Sequence, residues 1–317
     1  CRPTSSAEAR PCAERIVTRL GTRAFRRPLT PDDVSGLMNF YDLGAADSGF
    51  ERGVRTALEA MLSSPDFVFR FEEPSGEVAP GESYRISDIA LASRLSFFLW
   101  GAPPDEELIE AAGRHALSDA SEFERQVRRM LTDPRAGALG TRFAAQWLRL
   151  DDLEMVHPDR LLFPDYHQQL ADAMRRETEI FFNSLVRDDR SVLDLYSADY
   201  TYVNERLAKH YGIEGVTGEA FRRITYPDQS RRGLLGHGSI LTLTSHAGRT
   251  SPVLRGKWVM EVLLGTPPPP PPPGVPDLEE TEGSEDGRIL TTRERMELHR
   301  ASTSCNSCHR FMDPIGL

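Results

Sequence analysis

Two cysteines and a histidine near the end of the chain have a spacing that can do chemistry. Cys305, Cys308 and His309 lie in the stretch SCNSCHRFMDPIGL, and the other cysteines are Cys1 and Cys12. Two thiols one helical turn apart can each form a thioether with a vinyl group of haem, and the adjacent imidazole can bind the iron as proximal ligand. The C-x-x-C-H spacing therefore predicts one covalently attached haem c.

Zinc and a redox disulfide are the other chemistries open to this motif. A structural zinc site needs four ligands, and no second cysteine pair stands near Cys305 and Cys308. A C-x-x-C redox disulfide ordinarily opens a helix that follows a strand, and the sequence shows no such strand before the motif. Both alternatives stay open, and haem attachment is the favoured interpretation.

The second axial position of the iron decides between electron transfer and catalysis. Only eight residues follow His309, and Met312 lies too close to it in sequence to reach the other face of the ring. His246 is the candidate distal ligand within the chain, with His237 and His299 as further candidates. A ligand from sequence beyond Leu317, a ligand from a partner, or no ligand at all are the alternatives. A six-coordinate iron favours electron transfer, whereas an open position permits a peroxidase- or oxygenase-like enzyme.

Basic residues follow His246 in the stretch RTSPVLRGKW. Arg249 and Arg255 carry planar guanidinium groups that bind carboxylates through two parallel hydrogen bonds. Because haem has two propionates, we interpret these arginines as a candidate propionate clamp. A basic surface loop that caps helix ends is the alternative interpretation.

Helical periodicity dominates the elements that must position these groups. Apolar residues recur every three or four positions in ISDIALASRLSFFLW, in YHQQLADAMRRETEIFFNSLV and in most other long stretches. The best strand signals are YTYV at 200–203 and FRRITY at 221–226. Thr291 and Glu294 have capping-box spacing, which predicts the start of a helix that leads to the motif. We expect a mainly α-helical fold with little strand.

Polar and proline-rich stretches divide the helical pattern. Residues 72–84 are rich in Gly, Pro and Glu, which is typical of a linker. The uninterrupted prolines at 267–273 predict a stiff polyproline II rod, followed by an acidic surface loop. We predict three domains: an N-terminal helical domain over 1–73, a central helical domain over 84–213, and a C-terminal domain over 214–317 that contains the rod and the haem-attachment motif at 305–309.

Composition excludes several functions. The chain has 317 residues, 38 Lys plus Arg and 48 Asp plus Glu, which gives a formal net charge of -10. This charge argues against nucleic acid or an anionic membrane as a partner. The sequence has no apolar run of about 18 residues, so we expect no membrane span. The spacing of Cys1 and Cys12 suits a disulfide in an oxidising compartment, with free thiols or a lipidated Cys1 as alternatives.

Long segments of the chain resemble a known group of domains. AFRRPLT, LASRLSFFLWGAPPDEEL, DRSVLDLYSADYTYVNERLAKHYGI, RRGLLGHGSILTLTSHAGRTSPVLRGKWVMEVLLGTPPPPPPP and RERMELHRASTSCNSCHRFMDPIGL are similar to three consecutive domains of unknown function. These domains are of the planctomycete cytochrome-c-associated type. The resemblance implies that Cys305, Cys308 and His309 form a haem-attachment motif and that Cys1 and Cys12 form a cysteine pair. It also implies an exported protein that is an internal section of a larger polypeptide.

The sequence and the resemblance lead to one main expectation about function. We expect an exported bacterial c-type haem protein, periplasmic or at the cell surface, that passes electrons to a redox partner protein. A haem enzyme with an open distal site is one alternative. A helical scaffold that binds a partner and carries a structural haem is the other.

Overall fold

The computed structural model of the chain is built mainly from α-helices. It describes residues 1–72, 78–79, 81–270, 290–301 and 303–317. These residues pack into two compact units, Cys1–Leu139 and Gly140–Leu317. The described strands form two small antiparallel sheets, so the expected mainly α-helical fold class is confirmed. The division of the sequence into three domains stays a prediction.

The first unit is helical throughout its described regular structure. The side chain of Trp100 donates a hydrogen bond of 2.9 Å from Nε1 to the carbonyl oxygen of Met130, which joins two of its helices. Its elements are α1 (Ser6–Phe25), α2 (Pro31–Ser63), α3 (Pro65–Val68), α4 (Asp88–Trp100), α5 (Glu106–Gly113) and α6 (Ala120–Thr132), with 3₁₀ turns at Ala116–Ser118 and Pro134–Gly137.

Helix α2 folds back on itself and packs against α1. A capping box starts it, because Thr30 Oγ1 accepts from Asp33 N at 3.1 Å while Thr30 N donates to Asp33 Oδ2 at 2.7 Å. The helix breaks at Gly49, whose φ of 80° is left-handed and suits glycine. A Cβ atom on Gly53 would lie 2.7 Å from Tyr41, so the two halves of α2 touch there.

A disulfide joins the start of the chain to α1. Cys1 and Cys12 are bonded, with their Cα atoms 5.9 Å apart. Cys12 is buried in the helical core beside Ala13 and Val17. The bond therefore fixes the segment that precedes α1.

The second unit combines helices with both small sheets. Strands β1 (Tyr200–Val203) and β2 (Arg222–Thr225) pair antiparallel, which confirms the two predicted strands. Strands β3 (Ser245–His246) and β4 (Arg249–Thr250) form the other sheet. The helices are α7 (Ala145–Trp147), α8 (Gln168–Arg187), α9 (Asp194–Ser197), α10 (Glu205–Tyr211), α11 (Gly238–Leu243), α12 (Pro252–Trp258), α13 (Thr292–Ala301) and α14 (Thr303–Gly316), with π-helical segments at Leu139–Ala144 and Val259–Leu263 and 3₁₀ segments at Leu150–Met155 and Leu234–Gly236.

Helix α8 lies at the centre of the second unit. Phe181 is fully buried on α8 and packs in one apolar cluster with Tyr200 of β1 and Ile240 of α11. Met174, earlier on the same helix, belongs to a second apolar cluster with residues of β1 and α10. The inward face of α8 therefore meets both the first sheet and α11.

The proline run and its acidic neighbour are described only in part. Residues 267–270 form no helix or strand, while the prolines at 271–273 and the acidic segment up to 289 lie outside the described residues. The polyproline rod and the acidic loop therefore stay predictions. None of the described helices combines the length and the apolar character needed to cross a membrane.

Candidate functional site

The residues of the C-x-x-C-H motif share one face of α14. Cys305, Cys308 and His309 stand at positions i, i+3 and i+4 of this helix, which places them beside one another. All three are half-buried, and both thiols are free. The predicted capping box starts the preceding helix, since Thr291 N donates to Glu294 Oε2 at 2.8 Å. The structure thus brings two thiols and an imidazole onto a single helical turn.

Helix α14 packs closely against α12 through two glycines. A Cβ atom on Gly256 would collide with the carbonyl oxygen of Met312, and one on Gly316 would collide with that of Pro252. Because glycine has no Cβ atom, the two backbones can approach each other at these positions. Arg255 Nε donates a hydrogen bond of 2.7 Å to Gly316 O at the carboxyl end of α14. Helix α12 thereby fixes the helix that carries the motif.

A buried carboxylate lies one turn beyond the histidine. Asp313 is fully buried, and its Oδ1 lies 2.9 Å from His309 Nδ1. Its Oδ2 lies 3.8 Å from Arg300 Nη1 of α13 and has no hydrogen-bond partner among the described residues. A carboxylate only accepts hydrogen bonds, so this contact needs the proton on Nδ1. The lone pair of the neutral ring is then on Nε2.

The donor set fits covalent haem. Cys305 and Cys308 supply two thiols of matching spacing, and the tautomer of His309 offers Nε2 as the ligand atom. The side chains of Cys305, Cys308 and His309 each keep part of their surface exposed. In the part of the chain that the structure describes, no group of three or more His, Cys, Asp or Glu side chains is arranged to hold a metal ion.

The residues of the predicted propionate clamp and the predicted distal ligand lie on different elements. Arg255 contacts the end of α14, and burial lowers the pKa of its guanidinium. His246 and Arg249 are paired across the β3–β4 sheet and line a cavity of about 420 Å³. None of the described residues that line this cavity belongs to α14. The roles of these three residues toward haem stay predictions.

His237 belongs to a buried polar cluster in the core of the second unit. Its ring is fully buried, with Nδ1 2.9 Å from Thr178 Oγ1 and Nε2 3.5 Å from Thr201 Oγ1. Phe181 packs edge-on against it, with ring centroids 4.9 Å apart. A ring enclosed in this way cannot reach an iron without unpacking the core, so His237 is a structural histidine. The side chain of His299 lies outside the described residues.

Glu177 is the second titratable group of this cluster. It is fully buried, and it accepts hydrogen bonds from Thr201 Oγ1 at 2.7 Å and from Tyr211 Oη at 2.5 Å. Burial raises the pKa of Glu177 to about 7, although both hydrogen bonds act in the opposite direction. Burial, and then the positive charge of Arg231, lowers the pKa of His237 to about 3. Burial therefore favours the uncharged form of both groups.

Neither Glu177 nor Asp313 is among the site residues predicted from the sequence. A signal for Glu177 is its place at helical spacing from Met174 and Phe181, which marks the inward face of α8. A signal for Asp313 is its place four residues after His309, which brings the two side chains together once α14 is known to be a helix.

Three family models match consecutive ranges of the chain. Residues 12–72 match PSD5, a protein of unknown function (DUF1595), residues 86–213 match PSD4, a protein of unknown function (DUF1592), and residues 231–317 match PSCyt3, a protein of unknown function (DUF1588). No curated protein and no solved structure matches the chain. The chain therefore belongs to the planctomycete cytochrome-c-associated type, as three consecutive domains of unknown function.

Proposed function

We propose that the chain is an exported c-type haem protein that transfers electrons through one covalently bound haem. The observation that carries this proposal is the single turn of α14 on which Cys305, Cys308 and His309 lie with both thiols free. The two cysteines would each form a thioether with one vinyl group, and His309 Nε2 would bind the iron. Membership in cytochrome-c-associated families supports the same assignment.

The surrounding helices would orient the attachment residues. A bound haem supplies a one-electron iron couple, and the protein supplies binding, orientation and electrostatics. Met312 is buried on α14 against Gly256 of α12, and Met296 is buried on α13. Arg255 holds the carboxyl end of α14 against α12. These contacts support a fixed position for His309.

Exposed apolar side chains near the motif suit a transient protein partner. Leu298 on α13 is 52% exposed, and Phe311 and Ile315 on α14 are 54% and 41% exposed. Exposed apolar patches commonly mark interaction sites. The net charge of -10 favours a partner with a basic surface. We propose that a redox protein, or a further domain of the same polypeptide, contacts this face.

The proposed location rests on the cysteines at the other end of the chain. Cys1 and Cys12 form a disulfide in the structure. Disulfides persist in oxidising compartments such as the periplasm and the cell surface. The bond supports export, and we propose a periplasmic or cell-surface location.

Expression together with a c-type cytochrome maturation system tests the proposal. The purified wild-type chain should give a pyridine haemochrome spectrum that corresponds to one covalent haem. The Cys305→Ser/Cys308→Ser variant should give none. Asn306→Ala is the matched control, because it changes an exposed residue inside the motif and keeps both thiols and the histidine. A wild-type chain without covalent haem contradicts the proposal.

Carbon monoxide distinguishes electron transfer from the enzyme alternative. A low-spin reduced spectrum that carbon monoxide does not change indicates two strong axial ligands and supports electron transfer. Rapid carbon monoxide binding indicates an open position and supports a peroxidase- or oxygenase-like enzyme instead. A His246→Ala variant that keeps the low-spin spectrum would remove His246 as the distal ligand.

A further inference from the structure

We infer that Asp313 is a positioning residue that fixes the tautomer of His309 and lowers the reduction potential of the haem bound there. The inference rests on the proposed function, because it concerns the same histidine. It goes further by naming the group that would set the potential of the site. The observation behind it is the contact between Asp313 Oδ1 and His309 Nδ1 at 2.9 Å.

The burial of Asp313 makes this contact strong. Its side chain is 1% exposed, whereas that of His309 is 19% exposed. A carboxylate without partners is costly to bury. Among the described residues, the imidazole provides the only hydrogen bond to this side chain, and Arg300 Nη1 is farther away at 3.8 Å. The carboxylate and the imidazole therefore depend on each other.

The enclosure of Asp313 also fixes its direction. It lies on α14 between Met312, whose backbone meets α12 at Gly256, and Gly316, whose carbonyl is held by Arg255. Both ends of this turn are thus tied to α12. The carboxylate is 1% exposed and the backbone of its turn is held against α12, so it stays directed at His309.

The hydrogen bond determines which ring nitrogen carries the proton. The carboxylate accepts, so Nδ1 carries the proton and Nε2 carries the lone pair that a metal needs. The other tautomer would place a proton on Nε2 and a lone pair on Nδ1 facing Asp313. Asp313 therefore prepares His309 as a ligand before haem is attached.

The charge of Asp313 would favour ferric over ferrous iron. A hydrogen-bonded carboxylate makes the imidazole a stronger electron donor, and the ferric site carries one more positive charge than the ferrous site. Arg300 opposes this effect because its guanidinium lies 3.8 Å from the carboxylate and offsets part of its negative charge. Removal of Asp313 should raise the potential, and removal of Arg300 should lower it.

Potentiometric titration of the haem-loaded chain tests the inference. Loss of an outer-shell partner of a ligating histidine typically changes metal affinity by 10-fold or more. Because the carboxylate charge acts mainly on the ferric form, we assign this 10-fold loss to ferric iron, which corresponds to about 59 mV for one electron. We therefore expect Asp313→Asn to raise the midpoint potential by about 59 mV or more, and Arg300→Gln to lower it. Asp152→Asn removes an exposed carboxyl from the same unit and should leave the potential unchanged.

The outcomes separate this inference from the proposed function. An unchanged midpoint in Asp313→Asn protein that carries covalent haem overturns the inference and leaves the proposed function intact. A wild-type chain without covalent haem overturns both.

The tautomer of His309 provides a measurement that needs no change at Asp313. Nitrogen NMR of the unsubstituted, haem-free chain should show His309 protonated at Nδ1, with the signal assigned by its loss in His309→Gln. Protonation at Nε2 overturns the inference. This measurement tests the inferred tautomer of His309 even if Asp313→Asn fails to fold.

Discussion

Replacement of Glu177 by glutamine should change how the stability of the second unit depends on pH. The carboxyl is fully buried beside Thr201 and Tyr211, and burial raises its pKa to about 7 from the ordinary 4.5. Glutamine has the same shape and offers both an oxygen and an amide group to these partners. The Glu177→Gln variant therefore removes the titration while it keeps the packing.

The direction of the effect follows from where the proton is bound. Below pH 4.5 Glu177 holds its proton in both the folded and the unfolded chain, and its full contribution to stability is present. As the pH rises toward 7, only the unfolded chain loses this proton, so the free energy of unfolding falls. A pKa difference from 4.5 to about 7 corresponds to roughly 3 kcal/mol in total.

His237 produces a slope of the opposite sign in the same cluster. Its pKa is lowered from 6.5 to about 3, so its contribution is present above pH 6.5 and is lost as the pH falls toward 3. Between pH 4.5 and 6.5 the two slopes offset each other in the wild type. The difference between the wild-type and Glu177→Gln curves is therefore the quantity to measure.

Hydrogen exchange of the amides of α8 gives the local free energy of opening across pH 4 to 8. A local probe suits a chain of two compact units, whose global unfolding need not be two-state. Between pH 4.5 and 7, the free energy of opening in Glu177→Gln should rise by about 3 kcal/mol relative to the wild type. Glu154→Gln changes an exposed carboxyl of the same unit and should give a flat difference.

A flat difference curve for Glu177→Gln would contradict this prediction, because it would mean that burial does not hold a proton on this carboxyl. A curve of the opposite sign would show that the folded cluster favours the ionised carboxylate.

Three further predictions concern other parts of the chain. As the pH falls from 6.5 to 3, the free energy of opening of α8 in His237→Gln should rise by roughly 5 kcal/mol relative to the wild type. A difference that does not change with pH would contradict this prediction. Gly256→Ala should lower the free energy of opening of α14 by about 1–3 kcal/mol, because the added Cβ pushes against Met312. Gly36→Ala should raise that of α2 by about 0.5–1 kcal/mol, because its added Cβ meets open space. Hydrogen-exchange rates of α14 and α2 that change in the same direction would contradict this prediction. Cys12→Ser should lower the free energy of unfolding of the first unit by about 2–3 kcal/mol, and thermal unfolding that is insensitive to reductant would disprove it.

The helices were predictable because their cause is local. Leu170, Met174 and Phe181 recur at helical spacing, and this apolar pattern indicates the inward face of α8. Thr291 and Glu294 similarly mark the start of α13, since a capping box involves only four residues. Features set by neighbours in sequence can be read from sequence.

The close approach of α12 to α14 was not predictable, because it depends on residues that are far apart in sequence. Gly256 and Gly316 matter only because each faces the backbone of the other helix, and nothing near either glycine in sequence shows this. Pro314 adds a further obstacle. A proline ordinarily ends a helix, yet α14 continues past it to Gly316. The burial of Asp313 follows from this packing and is equally hidden.

The positions of His237 and His246 show the same limit. Both lie in Gly- or Thr-containing stretches, and the sequence offers both as candidate distal ligands, with His246 preferred. The structure buries His237 against Phe181 and leaves His246 exposed on β3. Only the packing of α8 and α11 distinguishes the buried His237 from the exposed His246.

The mass of the purified, unfolded chain shows directly whether haem is covalently attached. After expression with a c-type cytochrome maturation system, the wild-type chain should carry the added mass of one haem that survives denaturation. The Cys305→Ser/Cys308→Ser variant should have the mass of the polypeptide alone. A wild-type chain without the added mass, or a double variant that keeps it, would contradict the attachment of haem at α14.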